Sequence, residues 1–136
     1  MKKIISIDWE DYNGMVIDLA KIIKWKGIKQ IYGIGRGGMI LAVMLSHLHN
    51  DLPVELYTPG QELWRMPWGY QKENTLVVDD ISDTGKTFVK ASKMFPKATK
   101  YASLHFKRSS IFQPDYWVES VELDTWIKYP YERKPY

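Results

Sequence analysis

The stretch Thr75–Thr87, TLVVDDISDTGKT, constrains this chain more than any other. It opens with Thr75-Leu76-Val77-Val78, a short apolar run suited to a buried strand. Two adjacent carboxylates, Asp79 and Asp80, follow. Then comes a small polar turn, Ser82-Asp83-Thr84-Gly85-Lys86-Thr87, and an apolar helix-like run from Phe88 to Phe95. The order predicts a strand whose C-terminal end opens into a loop leading to a helix. Backbone N–H groups at a helix start are unpaired and partially positive, so such a loop suits a phosphate. Thr84 and Thr87 add hydroxyl donors, and Gly85 lets backbone come close to a ligand. The paired acids sit badly beside an anion unless they hold a cation or sugar hydroxyls.

A Walker A loop needs a glycine five positions before the glycine of its GK[ST]. Counted back from Gly85 that position is Asp80, so a P-loop is excluded. An ordinary capped strand–turn–helix is the bland alternative. A second unit of the same kind lies upstream. Gln30–Ile34 reads as a strand, Gly35-Arg36-Gly37-Gly38 as a loop, and Met39–Leu48 as a helix with an apolar face. Gly33, Gly35 and Gly38 fit G-x-G-x-x-G, with Glu55 near the acidic position of a dinucleotide fold. That reading is weakened because the unit is not the first element and Arg36 fills a place that wants little side chain. It also leaves the Asp79–Thr87 loop unexplained.

At 136 residues the chain is expected to form one domain, residues 1–136. An apolar content of 45% with 14% aromatics argues against disorder. Cysteine is absent, which excludes disulfides and thiolate metal sites. No stretch has the length and apolarity of a signal peptide core or a transmembrane helix, so a cytoplasmic protein without stable membrane insertion is expected. The net charge of +3 is mild and the basic residues are scattered, which speaks against a nucleic-acid partner. His47 and His49, two apart on a helix, do not share a face and are read as structural, as is His105.

Asp8 to Trp25 reads as an amphipathic helix capped by Asp8 or Asp11, with Gly27 as its C-cap. Pro53–Tyr57, Lys100–Phe106 and Tyr116–Val118 read as strands. Thr58–Asn74 is rich in aromatics, and Trp64 and Trp68 are expected to pack against the body or a partner.

Val77-Val78-Asp79-Asp80-Ile81-Ser82-Asp83-Thr84-Gly85-Lys86-Thr87 resembles the ribose-5-phosphate loop of the type I phosphoribosyltransferases: apolar strand residues, two acids, a spacer, then Thr-Gly-x-Thr. Gly35-Arg36-Gly37-Gly38 resembles that family's pyrophosphate loop, where Ser-Arg-Gly-Gly is common and a cis peptide often occurs, here at Gly35–Arg36. Lys107, together with Asp124-Thr125-Trp126-Ile127 and Pro130-Tyr131-Glu132, resembles the purine pocket and C-terminal end of bacterial xanthine-guanine phosphoribosyltransferases. The likeness runs from Ile31 to Glu132 in order. It breaks at Thr58–Asn74, where the family's flexible loop carries Ser-Tyr and this chain offers only Arg65 and Lys72.

The resemblance implies an α/β fold, a mainly parallel twisted sheet flanked by helices, with a short hood formed by the C-terminal segment. It implies transfer of 5-phosphoribosyl from phosphoribosyl diphosphate to a 6-oxopurine (guanine, xanthine or hypoxanthine) with release of pyrophosphate and with Mg²⁺ as cofactor. Asp79 and Asp80 would bind ribose hydroxyls, and Asp80 the metal. Ser82, Asp83, Thr84, Gly85, Lys86 and Thr87 would cradle the 5-phosphate, and Gly35, Arg36, Gly37 and Gly38 the diphosphate. Asp83 would accept or relay a proton from the base; as a loop acid it could equally cap the next helix. Lys107 would donate to the exocyclic oxygen, Trp126 would stack on the purine, and the Ile127 backbone would read the ring edge. Arg36 as a plain surface arginine and Trp126 as core are the bland alternatives. The resemblance further implies a homo-oligomer, dimer or tetramer. A regulator of the same fold that senses phosphoribosyl diphosphate is the second reading, and a dinucleotide-binding domain the third.

Overall fold

The computed structural model describes residues 2–60 and 73–132. The Trp64–Trp68 packing expectation and the candidates Arg65 and Lys72 lie outside the described residues. Five parallel strands form the main sheet: β2 (Gln30–Ile34), β3 (Val54–Tyr57), β4 (Thr75–Ser82), β5 (Lys100–Lys107) and β6 (Tyr116–Val121), in the order β3-β2-β4-β5-β6. The fold is the expected α/β arrangement, a parallel sheet flanked by three helices. The apolar run Leu76-Val77-Val78 is buried throughout, as a strand covered on both faces requires.

Alternation along β4 sorts the core. Leu76 and Val78 pack with α1 (Trp9–Ile22) and α2 (Gly35–Leu48) on one face; Val77 packs with Phe88 and Ala91 of α3 (Lys86–Ser92) on the other. The start of α1 is fixed by a reciprocal cap. The Asp11 N–H donates to the Asp8 carboxylate at 2.7 Å, and the Asp8 N–H to the Asp11 carboxylate at 3.2 Å. The helix ends sooner than its apolar pattern predicts, with Ile23 as C-cap, so Gly27 (φ +87°) turns the connection to β2 instead. Trp25 explains the early stop. Its indole N–H donates to the Ala20 carbonyl at 2.8 Å and its ring stacks on His49 at 4.3 Å, which also accounts for that histidine.

Two features depart further from expectation. The Gly35–Arg36 peptide is trans, and α2 begins at Gly35 itself, whose φ of +60° makes the bend out of β2. The second concerns the chain ends. Lys3–Ser6, to which the sequence reading assigned no element, is β1, and it pairs in parallel with β7 (Thr125–Lys128) in a separate two-stranded sheet. β7 carries Trp126 and Ile127, and a 3-10 turn at Pro130–Glu132 follows it. No helix among the described residues is long and apolar enough to cross a membrane.

Candidate active site

The C-terminal ends of β2 and β4 lie side by side, with Gly33 in register with Val78. The two glycine-bearing turns therefore open on one sheet edge. At the first turn, close backbone approach dictates glycine. A Cβ on Gly33 would lie 2.5 Å from the Gly38 carbonyl oxygen, and one on Gly38 would lie 2.6 Å from the Val78 carbonyl oxygen. At the second turn, Gly85 (φ +91°) caps α3. A Cβ there would meet Ser110 Oγ at 2.5 Å and the Phe112 nitrogen at 2.6 Å.

The 110–112 segment, which sequence reading passed over, holds this second turn in place. The Ile111 N–H donates to the Thr84 carbonyl at 2.9 Å. Ser82 is buried; its hydroxyl donates to the Phe112 carbonyl at 2.9 Å and lies 2.8 Å from Ser110 Oγ. Ser82 thus sits at the base of the turn, whereas Asp83, Thr84 and Lys86 are exposed and Thr87 is half-buried.

Three openings run in a row along this edge. The largest, about 680 Å³, is lined by Gly35, Arg36, Gly37, Asp79, Thr87 and Tyr131, among others, so both turns face it. The next, about 160 Å³, is lined by Asp79, Ile81, Ser82–Gly85 and Thr87. The third, about 60 Å³, is lined by Ile81, Asp83, Lys107, Thr125, Trp126 and Ile127. Asp79 and Thr87 form a wall shared by the first two; Ile81 and Asp83 form a wall shared by the second and third. Lys107, Trp126 and Ile127, far apart in sequence from Asp83, come together with it in one pocket.

Within that pocket Lys107 Nζ lies 2.8 Å from Asp83 Oδ1. Lys107 is only 7% exposed, and a buried ammonium needs a counterion; Asp83 supplies it. Trp126 remains 46% exposed, with Lys2 Nζ 5.3 Å from its ring centre, so it presents a π-face at the surface rather than filling the core.

The two adjacent acids are not equivalent. Successive side chains on a strand leave opposite faces. Asp79 lines the two larger openings, and one of its oxygens accepts the Asp80 N–H at 2.8 Å. Burial, reinforced by the neighbouring Asp80 charge, pushes the Asp79 carboxyl well above the usual range. Asp80 turns toward α1 and the C-terminal turn, where the Tyr131 hydroxyl donates to its Oδ2 at 2.7 Å.

Sequence reading missed the aromatic residues behind Asp80. Tyr129 is fully buried, and its hydroxyl donates to the Asp80 carbonyl at 3.0 Å. The same hydroxyl lies 2.8 Å from His105 Nδ1. A hydroxyl has one hydrogen, so both bonds are made only if Nδ1 carries the imidazole proton and donates to Tyr129. Burial lowers the His105 pKa to about 4, which keeps the ring neutral near pH 7. Tyr12 and Trp9 of α1 complete the cluster by edge and tilted ring contacts at 5.5 to 6.4 Å. The signal available from sequence was the density of tyrosines in the last turn. No group of three or more histidine or acidic side chains gathers to hold a metal among the described residues, so the donor set on this edge is the Asp79–Asp80 pair.

No protein-family model matches the chain. A curated xanthine-guanine phosphoribosyltransferase from Desulfotalea psychrophila is 28% identical over 96% of this chain and 88% of its own. A solved structure of a purine phosphoribosyltransferase from Pyrococcus horikoshii superposes with a TM-score of 0.77 at 27% identity, covering 98% of this chain and 97% of that one. A hypothetical protein from Neisseria gonorrhoeae, solved with bound ppGpp, superposes with a TM-score of 0.79 at 26% identity, covering 99% and 92%. Fold, motif order and relatives agree: over nearly its whole length this chain is similar to xanthine-guanine phosphoribosyltransferases, and it has the type I phosphoribosyltransferase fold.

Proposed function

We propose that the protein is a purine phosphoribosyltransferase acting on a 6-oxopurine, with phosphoribosyl diphosphate as donor and pyrophosphate as the second product. One observation carries the reading: the three openings share walls. A molecule with a diphosphate in the first, a 5-phosphate in the second and a base in the third would have its sugar beside Asp79 and Ile81. The third opening is narrow while Lys107 and Asp83 hold each other. A 6-oxopurine offers that pair both partners it needs: an exocyclic oxygen to accept from Lys107 and a ring N–H to donate toward Asp83. Trp126, from the exposed side, would cover the ring, and in that role the β1–β7 ribbon serves as the hood.

In the reaction a ring nitrogen of the base bonds to C1 of the ribose as the bond from C1 to the diphosphate oxygen breaks. The electron pair leaves with pyrophosphate, and the ring proton passes to Asp83. Catalysis rests on alignment and on stabilising the growing diphosphate charge. The Gly35–Gly38 backbone and the forked cation of Arg36 supply that stabilisation at the first opening. Mg²⁺ fits the donors present, because it takes hard oxygens, uses one or two carboxylates and keeps several waters. Asp80, with Asp79 beside it, would hold it against the substrate's oxygens, and its positive charge would offset the leaving group's negative charge.

Pyrophosphate release, measured with phosphoribosyl diphosphate, Mg²⁺ and guanine, xanthine, hypoxanthine or adenine, tests the proposal. Turnover with an oxopurine and none with adenine is expected; no turnover with any base would overturn it. The ppGpp on the Neisseria protein suggests adding that nucleotide as a competitor, since a guanine and a diphosphate match the two ends of the same row.

A further inference from the structure

We propose that Tyr131 is the positioning residue for Asp80, and that its hydroxyl lets the C-terminal turn set the affinity of the phosphoribosyl end of the site. The inference rests on the function proposed above and names a residue which that reading leaves unassigned.

Asp80 is at a junction. Gly37 approaches it so closely that a Cβ there would lie 2.3 Å from Asp80 Oδ2 and 3.1 Å from the Tyr131 hydroxyl. The diphosphate turn, the acid and the tyrosine therefore meet at one point. An aspartate has a short side chain with two free torsions, and only its partners decide where its oxygens aim. The Tyr131 hydroxyl donates to this carboxylate at 2.7 Å. Charge-assisted bonds of this kind are stronger than neutral ones.

The hydroxyl is placed by ring packing rather than by the bond it makes. Tyr131 lies parallel to Tyr129, with centroids 5.6 Å apart and planes 2° apart, and takes the edge of Tyr12 at 5.8 Å. Tyr129 meanwhile fixes the Asp80 backbone through its carbonyl. Backbone and side chain of one acid are thus each held by a tyrosine from the same short segment. Tyr131 also lines the largest opening, which places the bond at the rim of the site. Preorganised groups bind without first being ordered, so loss of this bond is read in affinity.

Tyr131→Phe keeps the stacked ring and removes only the donor. Titration calorimetry with phosphoribosyl diphosphate and Mg²⁺, alongside steady-state kinetics, gives the test on four proteins: wild type, Tyr131→Phe, Asp80→Ala and the double variant. In Tyr131→Phe, the Kd and KM for phosphoribosyl diphosphate are expected to rise about tenfold. The KM for the base, kcat and Tm should change little. In the Asp80→Ala background, where no acceptor remains, Tyr131→Phe should have no further effect, because coupled neighbours are not additive. Unchanged diphosphate affinity in Tyr131→Phe, or effects that add in the double variant, would overturn the assignment. So would parallel losses in both KM values with a lowered Tm, which mark a merely structural tyrosine. If the wild type itself fails to bind phosphoribosyl diphosphate, the proposed function falls and the assignment falls with it; a binding wild type with an indifferent Tyr131→Phe sinks the assignment alone.

Discussion

The two glycine corners stand on neighbouring strands and face the same opening, yet they are made of different material. The corner after β2 is built from backbone. Gly33 and Gly38 are set by carbonyl oxygens of its own turn and of β4, and the helix starts at once from Gly35. It presents peptide groups and one exposed cation, Arg36. The corner after β4 is built from side chains. Ser82 and Ser110 brace it from below, and Asp79, Asp83, Thr84 and Thr87 project from it. At Gly33 and Gly38 the first corner has no slack for an added atom. Away from Gly85, the second corner tolerates exchange of its acids and threonines in its fold while losing its chemistry.

Four measurements would break or sharpen this contrast. Asp83→Asn should show the largest effect, a fall in turnover of about a hundredfold or more, the usual share of general acid–base catalysis. Phosphoribosyl diphosphate binding should survive, since the amide keeps an oxygen near Lys107; equal loss of both would remove the proton-transfer role. At the other corner Gly38→Ala should act on the fold. Its Cβ would press on the Val78 carbonyl, and overpacking against backbone costs about 3 kcal/mol. A denaturant midpoint as high as that of wild type would show that this corner yields.

The third measurement probes what lies behind both corners. His105 is buried, and its pKa is lowered to about 4 from 6.5, so the unfolded chain binds a proton that the folded chain refuses. Stability from this source is full above about pH 6.5 and falls as pH drops toward 4, by about 2 kcal/mol at pH 5. His105→Gln should flatten that slope in melts between pH 7 and pH 5; an equally steep slope in the variant would point to another group. The smallest effect is expected for Lys107→Ala, about a tenfold rise in KM for oxopurines with no change for phosphoribosyl diphosphate. Unaltered preference among bases would free Lys107 of that role.

How much of this was legible in advance follows the range of the signals. The strand–turn–helix units after Ile34 and Val78 were readable because periodicity, glycines and acids all fall within a few residues of one another. Their facing was implied by resemblance and placed by the register of β2 on β4. The pairing of Lys107 with Asp83 carries no local mark, because it depends on β5 lying next to β4. β1 is short, half of its partner's residues are exposed, and its pattern matches nothing strand-like without β7 beside it. The early end of α1 likewise depends on Trp25 meeting Ala20 and His49 across the fold. Nothing local in the sequence ties Tyr129 or Tyr131 to Asp80; only the folded chain brings them there.

The parallel ribbon of Lys3–Ser6 with Thr125–Lys128 carries a kinetic consequence. The earlier strand must wait, unpaired, until a partner far later in the chain has emerged. Closing so long a loop is slow, and a pair held by few neighbours opens before the rest. The base end of the site should therefore be the last part to assemble and the first to come apart. Amide exchange along Thr125–Lys128 would then run faster than along Leu76–Val78, giving the molecule a durable sugar-phosphate half and a more fugitive half for the base.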